Sequence, residues 1–190
     1  HPILIVGIGR FGQVVNRLVT SAGFRTTTLD NDPATIDLIR NFGFKAFFGD
    51  PTRPDILHAA GLDKTGVLVV ALDDPAAAVK LVSYARAQRP DIYIVARARD
   101  RMHVFQLYRA GADKIVRELF DSSLRTGRYV LEHLGLSEFE AHEAETTFYR
   151  MDREAMQELA ELWDPEIPVT KNRAYLDRAN FSFGAAAGMA

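Results

Sequence analysis

Short apolar runs alternate with amphipathic stretches along the chain as far as Val116. Apolar runs of four or five residues are typical of central parallel strands, which are buried on both faces. The stretches between them carry apolar residues three or four positions apart, the spacing of helices that pack on one face. Six strands are predicted on this basis, at residues 3–6, 26–29, 45–48, 67–71, 92–95 and 114–116.

Helices are predicted between these strands, and glycine or proline marks most of their ends. They cover residues 11–22, 33–42, 52–60, 75–88 and 102–110. Strands and helices thus form two consecutive βαβαβ halves. Because crossovers between parallel strands are right-handed, we predict an α/β fold with a doubly wound, six-stranded parallel Rossmann sheet.

The pattern changes after the sixth strand. A long helix is predicted over residues 118–134, with apolar positions on more than one face, and a second helix over 153–163. The acidic stretch 138–149 is compatible with a strand or an extended connector. We therefore expect a Rossmann domain over residues 1–117, a helical extension over 118–163 and a polar tail over 164–190 that is partly disordered.

Composition narrows the choice of function. The 23 Lys and Arg residues against 25 Asp and Glu give a net charge of −2, so nucleic acid is not expected as the main partner. The chain has no cysteine, which excludes disulfides, thiolate metal sites and cysteine nucleophiles. Arginine supplies 18 of the 23 cations. That bias reflects either a GC-rich genome or a protein that grips small anions with the planar guanidinium fork.

The start of the chain and the length of its apolar runs indicate whether it contains a membrane span or a signal peptide. No apolar stretch approaches the ~20 residues that cross a bilayer. The chain begins His1-Pro2 and enters a strand without a signal peptide. We interpret it as a piece of a longer protein, which can serve a membrane protein without containing the membrane part.

A glycine-rich turn joins the first strand to the first helix. The six residues from Gly7 to Gly12 form a complete G-x-G-x-x-G pattern where Rossmann folds hold a pyrophosphate. In that pattern the first glycine permits the tight turn, the second lets the backbone approach phosphate and the third lets helix and strand pack closely. The helix N-terminus then offers free N–H groups to the anion. The alternative is that the glycines only make a turn.

An acid follows at the spacing that this pattern requires. Asp30 ends the second strand 18 residues beyond Gly12, close to the ~20 expected for the acid that binds the ribose hydroxyls. A carboxylate here repels a 2′-phosphate, so NAD or AMP is favoured over NADP. The Rossmann domain is therefore predicted to bind a nucleotide.

Polar residues at the ends of other strands extend the predicted site. Asp50 and Thr52 follow the third strand, where they would meet the adenine end of the ligand, although Asp50 could instead only cap the next helix. Three arginines follow the fifth strand, and one of them is expected to meet ligand phosphate or a facing subunit. The predicted nucleotide-contacting residues are Gly7, Gly9, Arg10, Phe11, Gly12, Asp30, Asn31, Asp50, Thr52, Asp73 and Arg99.

Catalytic patterns are missing from the sequence. No tyrosine is followed four positions later by the lysine of short-chain dehydrogenases, and neither G-x-S-x-G nor H-E-x-x-H occurs. The five histidines are scattered without metal-ligand spacing. A nucleotide-binding fold without catalytic groups suggests a sensor, so we predict neither an enzyme nor a metal site.

Five motifs, in this order along the chain, resemble the RCK or KTN (TrkA-N) potassium-channel regulatory domain. They are residues 7–13, 29–33, 48–53, 73–75 and 96–100. The similarity is closest to the C-terminal cytosolic domain of Kef glutathione-gated potassium efflux systems. Residues 117–120 and 125–128 resemble the crossover helix of that family, and the likeness covers roughly residues 1–163.

The resemblance implies partners and ligands that composition could not indicate. It implies a homodimer in which the crossover helix is exchanged, and AMP or NAD(H) in the Rossmann cleft. It implies that glutathione holds an attached membrane K+/H+ antiporter closed and that glutathione conjugates open it. The domain would then lie on the cytoplasmic face of the inner membrane, with an ancillary quinone-oxidoreductase-like subunit as a further partner.

The resemblance also implies a glutathione site built with arginines at the dimer interface. By motif position, its residues here are Arg17 on the first helix, Arg117 before the crossover helix and Asp152, where the family has Asn. Arg17 could otherwise be an exposed helix cation. A bulky conjugate could displace an aromatic side chain, for which Phe24, Phe42 and Phe44 are candidates.

Other functions stay open at this point. The chain could be a nucleotide-sensing RCK subunit of a Trk-type uptake system, or part of a Kef-like antiporter gated by nucleotide alone. A small NAD-linked dehydrogenase would need a proton-transferring residue that we do not find. A pure assembly module is disfavoured by the intact glycine turn.

Overall fold

The computed structural model describes residues 2–187, with the side chains of residues 2–180. Two compact units make up the chain, His1–Glu118 and Leu119–Ala190. In the part of the chain described, no helix is long and apolar enough to span a membrane.

The first unit contains a six-stranded parallel sheet. Its strands are β1 (Ile3–Val6), β2 (Thr26–Asp30), β3 (Lys45–Phe48), β4 (Val67–Val70), β5 (Tyr93–Ala98) and β6 (Lys114–Arg117). They lie in the order β3-β2-β1-β4-β5-β6, and each neighbouring pair is parallel. The strand order reverses at β1, which pairs with β2 on one side and β4 on the other. The predicted doubly wound Rossmann sheet is confirmed.

Five helices connect these strands. They are α1 (Arg10–Ser21), α2 (Pro33–Asn41), α3 (Pro54–Ala59), α4 (Pro75–Gln88) and α5 (Arg101–Ala110). Aspartates begin three of them, because their carboxylates accept the backbone N–H groups that the first helical turn leaves without partners. Asp32 caps α2, Asp74 caps α4 and Asp100 caps α5.

The central strands form the core of this unit. Leu4, Ile5 and Val6 of β1 are fully buried, as are Leu68 and Val70 of β4. Helix residues such as Ile36 and Ile39 cover one face of the sheet and pack against Ile5 and Val69. The continuous apolar runs of the sequence are explained by burial on both faces.

The second unit is helical. It contains α6 (Phe120–His133), α7 (Glu138–Leu162), a 3₁₀ turn at Val169–Lys171 and α8 (Arg173–Ala187). The stretch 138–149, which the sequence left open between a strand and a connector, belongs to the 25-residue helix α7. The helix begins there because Ser137 and Glu140 form a capping box, in which each side chain accepts from the other residue's backbone N–H.

The tail expected to fray from Asp164 instead contains the 3₁₀ turn and α8. Asn172 begins α8 by accepting a hydrogen bond from the N–H of Tyr175 at 3.1 Å. Tyr175 and Ala179 are buried where α8 packs on α7, and Arg178 pairs with Glu158. The polarity of this stretch does not indicate these apolar positions, which lie four residues apart and so share one face of the helix. Residues 188–190 of the predicted tail lie outside the described residues.

Candidate functional site

Two of the three glycines in the turn after β1 are required by the backbone conformation and packing of the fold. Gly7 has φ +90°, a conformation that L side chains rarely adopt, and a Cβ there would lie 2.5 Å from the carbonyl oxygen of Ala71. At Gly12 a Cβ would lie 2.0 Å from the carbonyl oxygen of Gly7. Both contacts are with backbone. A side chain at Gly7 would therefore push the turn away from the end of β4, and one at Gly12 would push α1 away from the turn.

The fold does not require glycine at position 9, because there is space for a side chain there. Its φ is −65°, which any residue can adopt, and no described atom lies within 4 Å of the position of an added Cβ. No described side chain caps α1, whose first residue is Arg10. Free N–H groups at a helix N-terminus with open space beside them form a natural anion site.

Asp30 ties the end of β2 to this turn. Its Oδ2 accepts a hydrogen bond from the N–H of Ile8 at 2.7 Å, and its Oδ1 accepts one from the N–H of Asp32 at 2.9 Å. The carboxylate is half-buried, and Asn31 beside it is exposed. The acid predicted to bind ribose thus lies directly against the glycine turn, with its position fixed by two backbone amides.

Asp50 and Thr52 close the turn after β3. One oxygen of Asp50, Oδ1, accepts hydrogen bonds from both the N–H and the hydroxyl of Thr52, each at 2.8 Å. These two bonds lower the pKa of Asp50, and the cations Lys80 and Arg53 lower it further. The exposed carboxylate is therefore ionised at neutral pH. Since β3 is parallel to β2, this turn lies on the same edge of the sheet as Asp30.

On the other side of the glycine turn, a buried arginine connects the ends of β4 and β5. The Nη2 of Arg97 donates to the carbonyl of Leu72 at 2.7 Å and to Oδ1 of Asp73 at 2.5 Å. Its guanidinium also lies over the ring of Phe11, 5.5 Å from the centroid. Arg97 is 7% exposed, whereas the carboxylate of Asp73 is open to solvent. A cation is thereby fixed beside the first turn of α1.

The sequence singled out Arg99 from the three arginines after the fifth strand, but the structure buries Arg97 and leaves Arg99 exposed. The prediction ended that strand at Val95, so Arg97 was read as part of a loop. The strand continues to Ala98, and Arg97 is one of its ladder residues, paired with Val116. No local signal indicates this extension, because the alanines on either side of Arg97 do not favour a strand.

The structure brings most of the predicted nucleotide residues to one edge of the first unit. The carboxyl ends of β1, β2 and β3 carry the glycine turn, Asp30 and Asp50, and those of β4 and β5 carry Asp73 and Arg97. The glycine turn stands at the centre, where the strand order reverses. In open α/β sheets this switch point is where ligands bind.

The residues assigned to glutathione are spread more widely. Arg17 is exposed on α1, which packs against β1 and β2, whereas Arg117 ends β6 at the far edge of the sheet and is half-buried. Asp152 is half-buried on α7 of the second unit. Within the first unit, Arg17 and Arg117 therefore lie on different elements, α1 and β6. Within the described residues, no group of three acids or histidines could hold a metal ion.

Family models match both units. The model of the TrkA-N domain matches residues 3–118, and that of the potassium efflux system KefB C-terminal domain matches residues 122–180. The glutathione-regulated potassium-efflux system protein KefC of Escherichia coli O139:H28 is 43% identical over 158 residues, which are 83% of this chain and 26% of that protein. The chain thus spans about a quarter of the length of the curated relatives it matches.

Solved structures with nucleotides are among the similar ones. The Kef C-terminal domain of Shewanella denitrificans in its AMP-bound form is 40% identical, with a TM-score of 0.80, over 86% of this chain and 100% of that one. The GsuK channel bound to NAD is 29% identical, with a TM-score of 0.55, over 62% of this chain and 21% of that one.

Proposed function

The chain belongs to the TrkA-N family, among the C-terminal domains of Kef potassium efflux systems, and we propose that it is the ligand-sensing regulatory domain of a Kef-type K+/H+ efflux antiporter. In this proposal it binds AMP or NAD(H) at the carboxyl edge of its sheet. Glutathione inhibits the attached antiporter through the domain, and glutathione conjugates activate it.

One observation carries the nucleotide part of the proposal: the glycine turn is more open than the fold requires. Gly7 and Gly12 are needed by the backbone, but Gly9 faces open space beside the free N-terminus of α1. A ligand phosphate accounts for that space, because it needs close approach to the backbone and N–H donors together. Asp30 then lies where a ribose would follow the phosphate.

Both nucleotides fit the pattern of charges at this edge. Asp30 disfavours a 2′-phosphate, which leaves AMP and NAD(H) as the candidates. AMP would use the half of the edge formed by β1, β2 and β3, with Asp50 and Thr52 toward the adenine. The second half of NAD would extend over β4 and β5, where Asp73 and Arg97 are joined. The similar Kef domain of Shewanella denitrificans was solved with AMP bound, and the GsuK channel with NAD bound.

The dimer part of the proposal is supported by the apolar surface of α6. None of its residues is buried within the chain. Tyr129 and Val130 on the helix and Leu134 just after it are large and exposed. Large apolar side chains exposed close together along one helix are typical of a protein interface. A second copy that covers α6 would explain why one helix carries apolar residues on more than one face.

A second copy would also account for the scattered glutathione residues. Arg17 and Arg117 lie on separated elements of one chain, so we propose that a ligand with two carboxylates meets arginines from both copies. Gating then requires that glutathione and its conjugates prefer different arrangements of the dimer. Phe24 and Phe42 are exposed and Phe44 is partly buried, so all three remain candidates for the displaced aromatic residue. Asp152, an acid where the family has Asn, would weaken binding of an anion.

The same proposal includes three partners or settings of the domain. They are the membrane antiporter, a position at the cytoplasmic face of the inner membrane and an ancillary quinone-oxidoreductase-like subunit. The antiporter itself belongs to the three quarters of the relatives' length that this chain does not span. The similarity to GsuK favours a second candidate, an RCK domain that senses nucleotide alone in another cation transporter, such as a Trk-type system. A small NAD-linked dehydrogenase is less favoured, and a screen for nicotinamide turnover tests it.

The deciding experiment combines mass spectrometry with calorimetry. Purified protein is denatured and the released small molecules are identified; we expect AMP or NAD(H). Titration with glutathione should then show binding to the dimer, whereas titration with γ-Glu-Ala-Gly and with free glutamate provides matched controls for the thiol and for a simple anion. A chain that binds no adenine nucleotide overturns the proposal. A chain that binds nucleotide but not glutathione supports the nucleotide-only candidate.

A further inference from the structure

A buried histidine lies beside the loops that follow β4 and β5. His103, in the first turn of α5, is 3% exposed. Its Nδ1 accepts a hydrogen bond from the backbone N–H of Arg99 at 3.0 Å. Only an unprotonated ring nitrogen can accept a hydrogen bond from this N–H. The neutral ring therefore carries its proton on Nε2.

The surroundings of this ring keep it neutral at pH 7. Burial lowers the pKa of His103 below its ordinary value of 6.5, and the positive charge of Arg97 on β5 acts in the same direction. The backbone carbonyl of Pro75 and the carboxylates of Asp74 and Asp100, at the starts of α4 and α5, oppose this lowering. The ring therefore takes up a proton only in acidic solution.

A proton on Nδ1 would remove the hydrogen bond to the loop after β5. Nδ1–H and the N–H of Arg99 would then be two donors facing each other at 3.0 Å. The same loop is held at a second point, where Asp100 accepts from the N–H of His103 at 2.9 Å. Arg97, which fixes Asp73 and faces Phe11, lies on β5 two residues before Arg99. Arg97 lies over Phe11 in the first turn of α1, where the phosphate of either AMP or NAD is proposed to bind, so loss of the Nδ1 bond would weaken binding of both.

We propose that His103 is a positioning residue for nucleotide binding, whose neutral ring holds the Arg99 loop in place and whose protonation releases it. This inference rests on the nucleotide-binding function proposed above. An antiporter that exchanges K+ for protons acidifies the side on which its regulatory domain lies. The domain would therefore lose nucleotide affinity as the protons carried by transport accumulate.

Calorimetric titration of AMP into the 190-residue chain between pH 8.0 and 5.5 tests this inference. The phosphate of AMP itself titrates near pH 6, so the ratio of wild-type to variant affinity is the readout. In His103→Asn, Oδ1 takes the place of Nδ1 as acceptor but does not titrate. We expect a ratio near one at pH 8.0 that falls at least about threefold by pH 5.5. His142→Asn, at a side chain 61% exposed on α7, should follow wild type at every pH.

Nitrogen NMR of the wild-type imidazoles supplies a second readout that needs no variant. His103 should carry its proton on Nε2 at pH 8.0, and by linkage its pKa should be lower in the AMP complex than in the free protein. A constant affinity ratio across pH, or a His103 pKa unchanged by AMP, overturns the inference. Absence of AMP binding at every pH would instead refute the proposed function on which the inference depends.

Discussion

Asp30 accepts a hydrogen bond from the backbone N–H of Ile8 at 2.7 Å, across the first two strands of the sheet. The residue that should recognise ribose therefore also holds the residue between the first two glycines of the turn. Its second oxygen accepts from the N–H of Asp32, which caps α2. The carboxylate of Asp30 thus orders both the glycine turn and the start of α2. The proposed site therefore needs Asp30 for its local structure as well as for contact with the ribose.

Asp30→Asn should lower both nucleotide affinity and stability. An amide has one acceptor oxygen, so its NH₂ group must face one of the two backbone donors. We expect a loss of about 1–3 kcal/mol in the free energy of unfolding and at least about tenfold weaker AMP binding. Urea unfolding and calorimetry measure the two effects. Asp37→Asn makes the same change of charge at an exposed position of α2; an equal loss in this control would show that charge alone is responsible.

Gly9→Ala and Gly12→Ala should separate binding from folding. A methyl group at Gly9 has open space around it, so stability should fall by no more than about 1 kcal/mol, the usual cost of alanine at a helix N-cap. AMP affinity should fall at least about tenfold, because the methyl occupies the space of the phosphate. At Gly12 the methyl would collide with the carbonyl of Gly7, which costs about 1–3 kcal/mol or more. Thermal unfolding and calorimetry distinguish the two. Unchanged AMP affinity in Gly9→Ala contradicts the proposed phosphate position.

The sheet and its glycine turn could be predicted from the sequence because their signals are local. Buried parallel strands require continuous apolar runs, and the turn requires glycines at fixed spacing. The role of Arg97 could not be read in the same way. Its contacts with Leu72 and Asp73 join residues about 25 positions apart, and nothing in the local pattern indicates which strand end an arginine will meet.

Arg97→Met should therefore be far more damaging than Arg99→Met. Methionine keeps part of the apolar volume but leaves the carbonyl of Leu72 without its donor, for an expected loss of about 1–3 kcal/mol in stability. The exposed side chain of Arg99 should change stability by less than about 0.5 kcal/mol. Urea unfolding of the two variants is the measurement. Equal stability of both would mean that Arg97 does not join β4 to β5 in solution.

The helical unit was predicted less completely, and the reason lies at Ser137. Its capping box with Glu140 spans only four residues and precedes a stretch rich in Glu and Thr. That composition obscured the apolar spacing, so the first half of α7 was not recognised as a helix. A search for Ser-x-x-Glu ahead of the acidic stretch would have found the start. The burial of Tyr175 and Ala179 against α7 is a tertiary contact that polarity could not reveal.

Ser137→Ala should lower the stability of the helical unit by about 1 kcal/mol, the usual value of an N-cap. The N–H and hydroxyl of Ser137 lower the pKa of Glu140 from 4.5. Glu140 therefore contributes stability above pH 4.5 that is lost as the pH falls through its lower folded-state pKa. In thermal unfolding followed by circular dichroism, Glu140→Gln should be less stable than wild type at pH 7 and should converge with it in acid. Glu154→Gln, exposed on the same helix, should show no such convergence.

Val130→Glu should abolish glutathione binding and leave AMP binding intact. Val130 is exposed on α6 and would be buried by a second copy of the chain; a carboxylate there would be desolvated without a partner, which disfavours association. Light scattering should show that the mass falls by half. AMP binding should persist, because the nucleotide edge lies within one copy, whereas glutathione binding should be lost, because its arginines would come from two. Tyr108→Glu, at an exposed aromatic residue of α5, is the control and should stay dimeric. A monomeric variant that still binds glutathione would place that site within one chain and would remove the reason for an interface pocket.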